Sequence, residues 1–257
     1  MITIENLTVA YVEEKRIIDS LDVAFSPGTI HGIVGLNGAG KTTLLNAIFG
    51  LKKKQSGTIT YNGVPINKRE MSYLMTESFF YSNITGREYL RLFKNKQFHV
   101  DRWNDLFLLP LDEIIDTYSS GMKKKLALLG ILMQNKPVMV LDEPFNNLDI
   151  ESCRIIRSIL LKLKDMGKTI LITSHIIETL TNLCDTIYYL EQGKIKNTIS
   201  KPDFGKFEQE IFSAIESRNE KLVAELLGSA PLSGKQVKLY EPAFQRAIEH
   251  RDLFRRF

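Results

Sequence analysis

Cysteine is scarce in this 257-residue chain, which contains only Cys153 and Cys184. The two thiols are far apart and show neither the close spacing of zinc ligands nor the density of a disulfide-stapled domain. The sequence therefore predicts neither a disulfide framework nor a cysteine-held metal, and it suits a reducing compartment such as the cytoplasm.

Long apolar runs and a secretion signal are also missing. The most apolar stretch, residues 126–133, is far shorter than the roughly 20 residues that a membrane-crossing helix requires. The first residues alternate like a short strand, without the basic start and apolar core of a signal peptide. We therefore expect that the chain is not secreted and that it reaches a membrane only through a partner.

Neither sign of charge dominates the composition. The 34 lysines and arginines exceed the 30 acidic residues by a net charge of +4, and they are scattered along the chain. Because nucleic-acid-binding proteins concentrate their basic residues, we expect no nucleic-acid partner. The 44% of hydrophobic residues is enough for the core of one large α/β domain or two smaller lobes.

A glycine-rich segment between a predicted strand and a predicted helix is the strongest motif. Residues 29–34 are typical of a buried strand, and residues 41–49 have helical apolar spacing that ends at Gly50. The segment between them matches the phosphate-binding pattern G-x-x-x-x-G-K-[ST], whose backbone N–H groups face an anion. This context favours an ATP site over a turn with a chance lysine. The predicted ATP-binding residues here are Gly35, Leu36, Asn37, Gly38, Ala39, Gly40, Lys41, Thr42 and Thr43.

Two adjacent carboxylates at the end of a later strand complete the predicted chemistry. Residues 138–141 form an apolar run that ends in Asp142 and Glu143. By itself such a pair is often a solvated turn. Beside a phosphate loop, the Thr42 hydroxyl is predicted to bind Mg²⁺ directly and Asp142 to hold it indirectly, while Glu143 polarises the water that attacks the γ-phosphate. Lys41 would neutralise the β- and γ-phosphate oxygens.

A third motif carries a family resemblance. Tyr118-Ser119-Ser120-Gly121-Met122 resembles the Leu-Ser-Gly-Gly-Gln signature of ATP-binding cassette (ABC) ATPases, with Ser119 predicted to cap a helix that runs to about Gln134. Alone, this segment is only a capped helix start. It stands between the phosphate loop and the carboxylate pair, as it does in ABC ATPases, and residues 1–198 therefore resemble an ABC ATPase.

The resemblance implies further roles. Ser119 and Gly121 would contact the γ-phosphate of ATP held by a facing subunit, so that ATP joins two subunits into a homo- or heterodimer. His175 matches the switch histidine that orients Glu143, and residues 146–149 match the D-loop that crosses between subunits. Tyr11 matches the aromatic residue that stacks on adenine.

One position departs from the family pattern. Thr76 stands where these ATPases have a glutamine that reaches Mg²⁺, and its side chain is too short to span the same gap. Thr76 is still predicted to belong to the metal site. Either it contacts Mg²⁺ through a water, or ATP hydrolysis is slow. Glu77 could replace the glutamine only if the loop shifts register.

These observations predict the fold and the organisation of the chain. The predicted fold class is α/β, a P-loop NTPase core with an antiparallel β portion, over residues 1–200. A helical lobe is inserted at about residues 71–137, and residues 201–257 form a helical extension. Helical spacing in the extension occurs first near Phe207 and again near Phe244.

The predicted function is that of an ATPase, with ATP and Mg²⁺ as cofactors, that powers a separate membrane permease. Such a subunit is cytoplasmic and peripheral on the inner face of the cell membrane. The Tyr-Ser-x-Gly-Met form of the signature and residues 83–90 favour export over import. The alternative is a soluble ABC ATPase that acts as a switch in assembly, translation or repair, although tandem cassettes, long coiled coils and zinc-ligand cysteines are missing.

Overall fold

The computed structural model describes residues 1–12 and 15–227. The chain divides into two compact units, Met1–Lys201 and Pro202–Phe257. In the described part of the second unit, the residues form helix α7 (Phe204–Leu226), which includes the predicted helical spacing near Phe207. The second predicted helical segment, near Phe244, lies outside the described residues. No helix among the described residues has the length and apolarity to cross a membrane.

The first unit contains ten strands and six α-helices among its described residues. The strands are β1 (Ile2–Val12), β2 (Lys15–Phe25), β3 (Ile30–Val34), β4 (Ser56–Tyr61), β5 (Val64–Pro65), β6 (Met71–Leu74), β7 (Val138–Asp142), β8 (Thr169–Ser174), β9 (Thr186–Glu191) and β10 (Lys194–Ser200). The helices are α1 (Lys41–Phe49), α2 (Gly86–Arg91), α3 (Val100–Phe107), α4 (Ser120–Gln134), α5 (Ile150–Asp165) and α6 (Ile177–Thr181).

The strands form two sheets, as predicted for an α/β core with an antiparallel portion. The first sheet has the order β2-β1-β4-β5 and is antiparallel. The second has the order β10-β9-β3-β8-β7-β6 and is parallel except for β10. All residues of β3, β7 and β8 are buried, as expected of parallel strands covered on both faces. Because the carboxyl ends of β3, β7 and β8 lie at one edge, the segments that follow them come together there.

The predicted start of the helical lobe, at about residue 71, is wrong. Residues 71–74 form strand β6, which pairs in parallel with β7 at the edge of the sheet. A run of only four residues shows no clear periodicity, and the hydrogen bonds of β7 decide its conformation. The inserted helices begin later, at α2, and end with α4.

Helix ends agree with the caps expected from the sequence. Ser119 Oγ accepts a hydrogen bond of 3.2 Å from the Met122 N–H at the start of α4. Asp149 caps α5 in the same way, and Gly50 ends α1 in the left-handed conformation with φ 74°. The cap of α4 leaves the N–H groups of its first turn at an exposed edge, since Ser119 and Ser120 are both exposed.

Ser72 leads to a stability prediction. Its side chain is 0% exposed in β6, and among the described residues its hydroxyl has no hydrogen-bond partner. An unpaired buried hydroxyl destabilises a fold, so Ser72→Ala is expected to raise the free energy of unfolding by about 1 kcal/mol. Urea denaturation measures the effect. The matched variant Thr173→Val removes a buried hydroxyl that has two partners, and it should lower the stability. A lower midpoint for Ser72→Ala would contradict the prediction.

Candidate ATP site

The loop between β3 and α1 is shaped for an anion. Gly40 has φ +108°, which favours glycine, and a Cβ on Gly35 would lie 2.2 Å from the Leu190 carbonyl oxygen. These two glycines allow the loop to fold tightly at the start of α1, where N–H groups and the helix dipole favour negative charge. Of the remaining predicted ATP-binding positions, Leu36, Asn37, Gly38 and Thr42 are exposed, whereas Ala39 and Thr43 are buried.

Lys41 supplies the positive charge of this loop. Its Nζ donates hydrogen bonds to the carbonyl oxygens of Gly35 at 2.7 Å and Leu36 at 3.4 Å. Burial lowers the pKa of Lys41, and the nearby charges of Glu143 and Asp142 oppose that shift. Since the hydrogen-bond partners of Lys41 are neutral carbonyls, an incoming phosphate can replace them with a charge-assisted contact.

Asp142 lies at the end of β7 with its carboxylate held by two hydroxyl groups. Thr76 Oγ1 donates to Oδ2 at 2.7 Å, and Thr173 Oγ1 donates to Oδ1 at 2.6 Å. The side chain of Asp142 is fully buried. Thr76 therefore contacts the carboxylate of Asp142 directly, and its part in the metal site stays a prediction. Glu77, the possible substitute, is exposed.

The donor set fits Mg²⁺ bound together with a nucleotide. Carboxylate and hydroxyl oxygens are the hard ligands that Mg²⁺ prefers, and Asp142, Thr76 and Thr42 offer them. Within residues 1–12 and 15–227, no group of three or more His, Cys, Asp and Glu side chains could hold a metal ion. A closed protein cage is therefore not formed by these residues. Such a site suits an ion that keeps waters and takes phosphate oxygens as its other ligands.

Glu143 and His175 face each other at the same edge of the sheet. His175 Nδ1 lies 3.1 Å from Glu143 Oε2, and the Glu143 backbone N–H donates to Thr173 Oγ1 at 3.0 Å. Glu143 has φ 49°, an uncommon conformation for a residue with a side chain. Strained backbone of this kind is concentrated at functional sites. The carboxylate and imidazole are close enough to share a water or a proton.

Two polar residues of the site were missed by the sequence reasoning. Thr173 joins Asp142 to the backbone of Glu143, and Lys124 Nζ donates to the carbonyl oxygen of Thr76 at 2.8 Å. A hydroxyl within the apolar run of β8 was a signal for Thr173. The signal for Lys124 was its helical phase, since it lies one turn before the buried Leu128 although it belongs to a run of three lysines.

Three predicted residues make their described contacts elsewhere in the chain. Ser119 is exposed at the start of α4, and a Cβ on Gly121 would lie 2.7 Å from the Asn147 carbonyl oxygen. The ring of Tyr11 is 58% exposed, and Lys52 Nζ lies 3.9 Å from its centroid. In the described part of the chain, the side chains of Ser119 and Tyr11 form no hydrogen bond or ring contact with Lys41 or Asp142. Their ATP-contacting roles remain predictions.

Comparisons with known proteins agree with this geometry. The ABC transporter family model matches residues 18–146. An uncharacterised ABC transporter ATP-binding protein of Methanocaldococcus jannaschii is 31% identical over 203 residues, which cover 75% of each chain. The bacitracin transport ATP-binding protein of Enterococcus faecalis is 27% identical over 244 residues, which cover 90% of this chain and 79% of that protein.

A solved structure supports the fold. A dimeric ATP-binding cassette bound to ADP and Pi, in a post-hydrolysis state, matches 78% of this chain and 99% of its own with a TM-score of 0.70 at 20% identity. The family match, the relatives and the phosphate loop facing paired carboxylates lead to the same result. The chain belongs to the ABC transporter family, as an ATP-binding and ATP-hydrolysing subunit.

Proposed function

We propose that this subunit powers a separate membrane permease, acting in export, by closing with a second ATPase subunit over bound ATP. The observation that carries the proposal is the division of the site. Lys41 of the phosphate loop lies within the charge influence of Asp142 and Glu143, while the start of α4, capped by Ser119, is exposed at the surface. A facing subunit would bring its own α4 onto the γ-phosphate.

The proposed roles of the residues in one chain follow from their contacts. Lys41 binds the β- and γ-phosphates after leaving the loop carbonyls, and Glu143 draws a proton from the attacking water. His175, 3.1 Å from Glu143, orients that carboxylate. Mg²⁺, when bound with ATP, would neutralise charge on the phosphates, and the residues that would hold it are Thr42 and Asp142, with Thr76 acting through Asp142.

The proposed partner and location rest on the relatives. The Enterococcus faecalis protein carries a name for bacitracin transport and is similar over 90% of this chain. This likeness supports the proposal that the subunit acts at the inner face of the cell membrane, bound to a permease. Tyr11, near the end of β1, is proposed to stack on the adenine ring. Lys52 covers one face of the Tyr11 ring, so adenine would use the other face or take the place of Lys52.

The closure step has a direct test in solution. In the Glu143→Gln background, ATP persists, so Mg-ATP but not Mg-ADP should dimerise the purified subunit. Adding Ser119→Arg places a long side chain at the N-terminus of α4, where the facing phosphate would approach, and should abolish the dimer. Light scattering measures the mass, and fluorescent ATP binding checks that each subunit's own phosphate loop still works.

A second variant separates steric block from loss of the helix cap. Ser119→Ala also removes the cap, which costs about 1 kcal/mol of helix stability, but it leaves the N–H groups of α4 open. This variant should keep an ATP-dependent dimer. An intact dimer in Ser119→Arg would show that the start of α4 is only a helix cap. A Glu143→Gln subunit that binds ATP but stays monomeric would require a different chain as the facing surface.

A further inference from the structure

Lys124 makes an unusual contact from the second turn of α4. Its side chain is 6% exposed, and its Nζ donates to the carbonyl oxygens of Thr76 at 2.8 Å and Met75 at 3.4 Å. These two residues follow strand β6 directly. The neighbouring Lys125 points elsewhere, because its Nζ donates to the Phe107 carbonyl oxygen at the end of α3. One lysine of the run therefore ties α4 to the loop after β6.

The loop after β6 is also hydrogen-bonded to the carboxylate of Asp142. Thr76, whose backbone is held by Lys124, donates its hydroxyl to Asp142 Oδ2 at 2.7 Å. Asp142 Oδ1 accepts from Thr173, whose hydroxyl also accepts from the Glu143 N–H. The contacts thus run from α4 through Thr76 to the proposed metal-holding carboxylate, and through Thr173 to the backbone of Glu143.

The charged group of Lys124 is buried, which is energetically unfavourable. Burial of an ammonium group is unfavourable unless it is compensated, and two neutral carbonyls compensate it only in part. The charges of Asp142 and Glu143 oppose, without cancelling, the fall in the pKa of Lys124 that burial causes. The hydrogen bonds of Lys124 therefore hold α4 against the loop that carries Thr76, the residue that donates to Asp142.

We propose that Lys124 is a positioning residue for Mg²⁺ binding with ATP, because it holds Thr76 against Asp142 and makes that contact follow the position of α4. The proposal rests on the proposed roles of Asp142 and Thr76. It links the helix that would contact the facing subunit's ATP to the metal-holding group of its own site. Movement of α4 by a nucleotide across the interface would then alter the geometry around Asp142.

The test compares ATP affinity with and without Mg²⁺. In the Glu143→Gln background, binding of a fluorescent ATP analogue is measured in Mg²⁺ and in EDTA, and the ratio of the two affinities is the readout. Lys124→Met is expected to lower this ratio about tenfold, as outer contacts of metal ligands commonly do, while the affinity in EDTA stays unchanged. A lysine that only supports the fold would lower both affinities together.

Matched variants complete the design. Thr76→Val should reproduce the loss, and Lys124→Met combined with Thr76→Val should lose no more than either alone, because both act through one contact. Lys124→Arg, which keeps the charge and the donors, should restore most of the ratio, and Lys125→Met should leave it unchanged. Lys124→Gln should lower the ratio of affinities less than Lys124→Met does, again without changing the affinity in EDTA. It serves as the test if Lys124→Met does not fold.

An unchanged ratio in the folded Lys124 variants overturns the proposal, as does an equal loss in EDTA. Losses that add fully in the combined Lys124 and Thr76 variant overturn it too. Failure of the proposed closure is a separate result, since it would appear as an ATP-dependent dimer of the Glu143→Gln subunit that stays intact when Ser119→Arg is added.

Discussion

Glu143→Gln should abolish ATP hydrolysis while ATP binding persists. The amide keeps the size of the side chain, but it cannot accept a proton from the attacking water. Loss of a general base commonly lowers a rate by about 10² to 10⁴-fold. Single-turnover hydrolysis measures the chemical step, and binding of a fluorescent ATP analogue measures the affinity. Because the Glu143 N–H bonds to Thr173 through the backbone, that hydrogen bond should survive the substitution.

Another glutamate provides the control for this prediction. Glu178, an exposed carboxylate in α6, loses the same charge in Glu178→Gln. That variant should hydrolyse ATP at the wild-type rate. If Glu143→Gln turned over at an unchanged rate, the water would be activated elsewhere, and the 3.1 Å contact between His175 and Glu143 would have no part in the chemistry.

Lys41→Ala is expected to weaken ATP binding by about 100-fold or more. Lys41 is the buried cation of the phosphate loop, and hydrogen bonds to charged groups are each worth about 1.5–3 kcal/mol. Without it, the β- and γ-phosphates would meet the loop N–H groups alone, with the carboxylates of Asp142 and Glu143 nearby. Equilibrium binding of fluorescent ATP, read beside a thermal melt, measures the loss separately from any change in the fold.

Lys53→Ala serves as the matched control, because Lys53 is an exposed lysine shortly after α1. It removes the same charge from a position outside the loop, so ATP affinity should change little. Wild-type affinity in Lys41→Ala would remove the phosphate-loop assignment and with it the roles proposed for Thr42 and Asp142.

The parts of the site that could be predicted are those whose function depends on short local segments. A phosphate loop needs glycines, a lysine and a hydroxyl within one strand-turn-helix unit. The function of residues 35–42 can therefore be predicted from that short segment alone. The caps by Ser119 and Asp149 are equally local, because each spans a single helical turn. Their geometry agrees with the predictions made from spacing alone.

Other features depend on neighbours that are distant in the chain. Strand β6 is a strand because β7, more than sixty residues later, supplies its hydrogen bonds. The reach of Thr76 depends on how closely the loop approaches Asp142, which side-chain length does not reveal. Lys124 looks like one of three solvated lysines until α4 packs beside the loop after β6.

The sequence by itself determined the ATP chemistry, the α/β core and the family, since these follow from local motifs and from apolar runs that only covered parallel strands accommodate. The tertiary structure alone decided which polar groups meet at the edge of the sheet. Contacts such as those of Thr173 with Asp142 and of Lys124 with Thr76 join segments far apart in the chain. Their energies depend on burial and distance, and neither quantity exists until the strands have paired and the helices have packed.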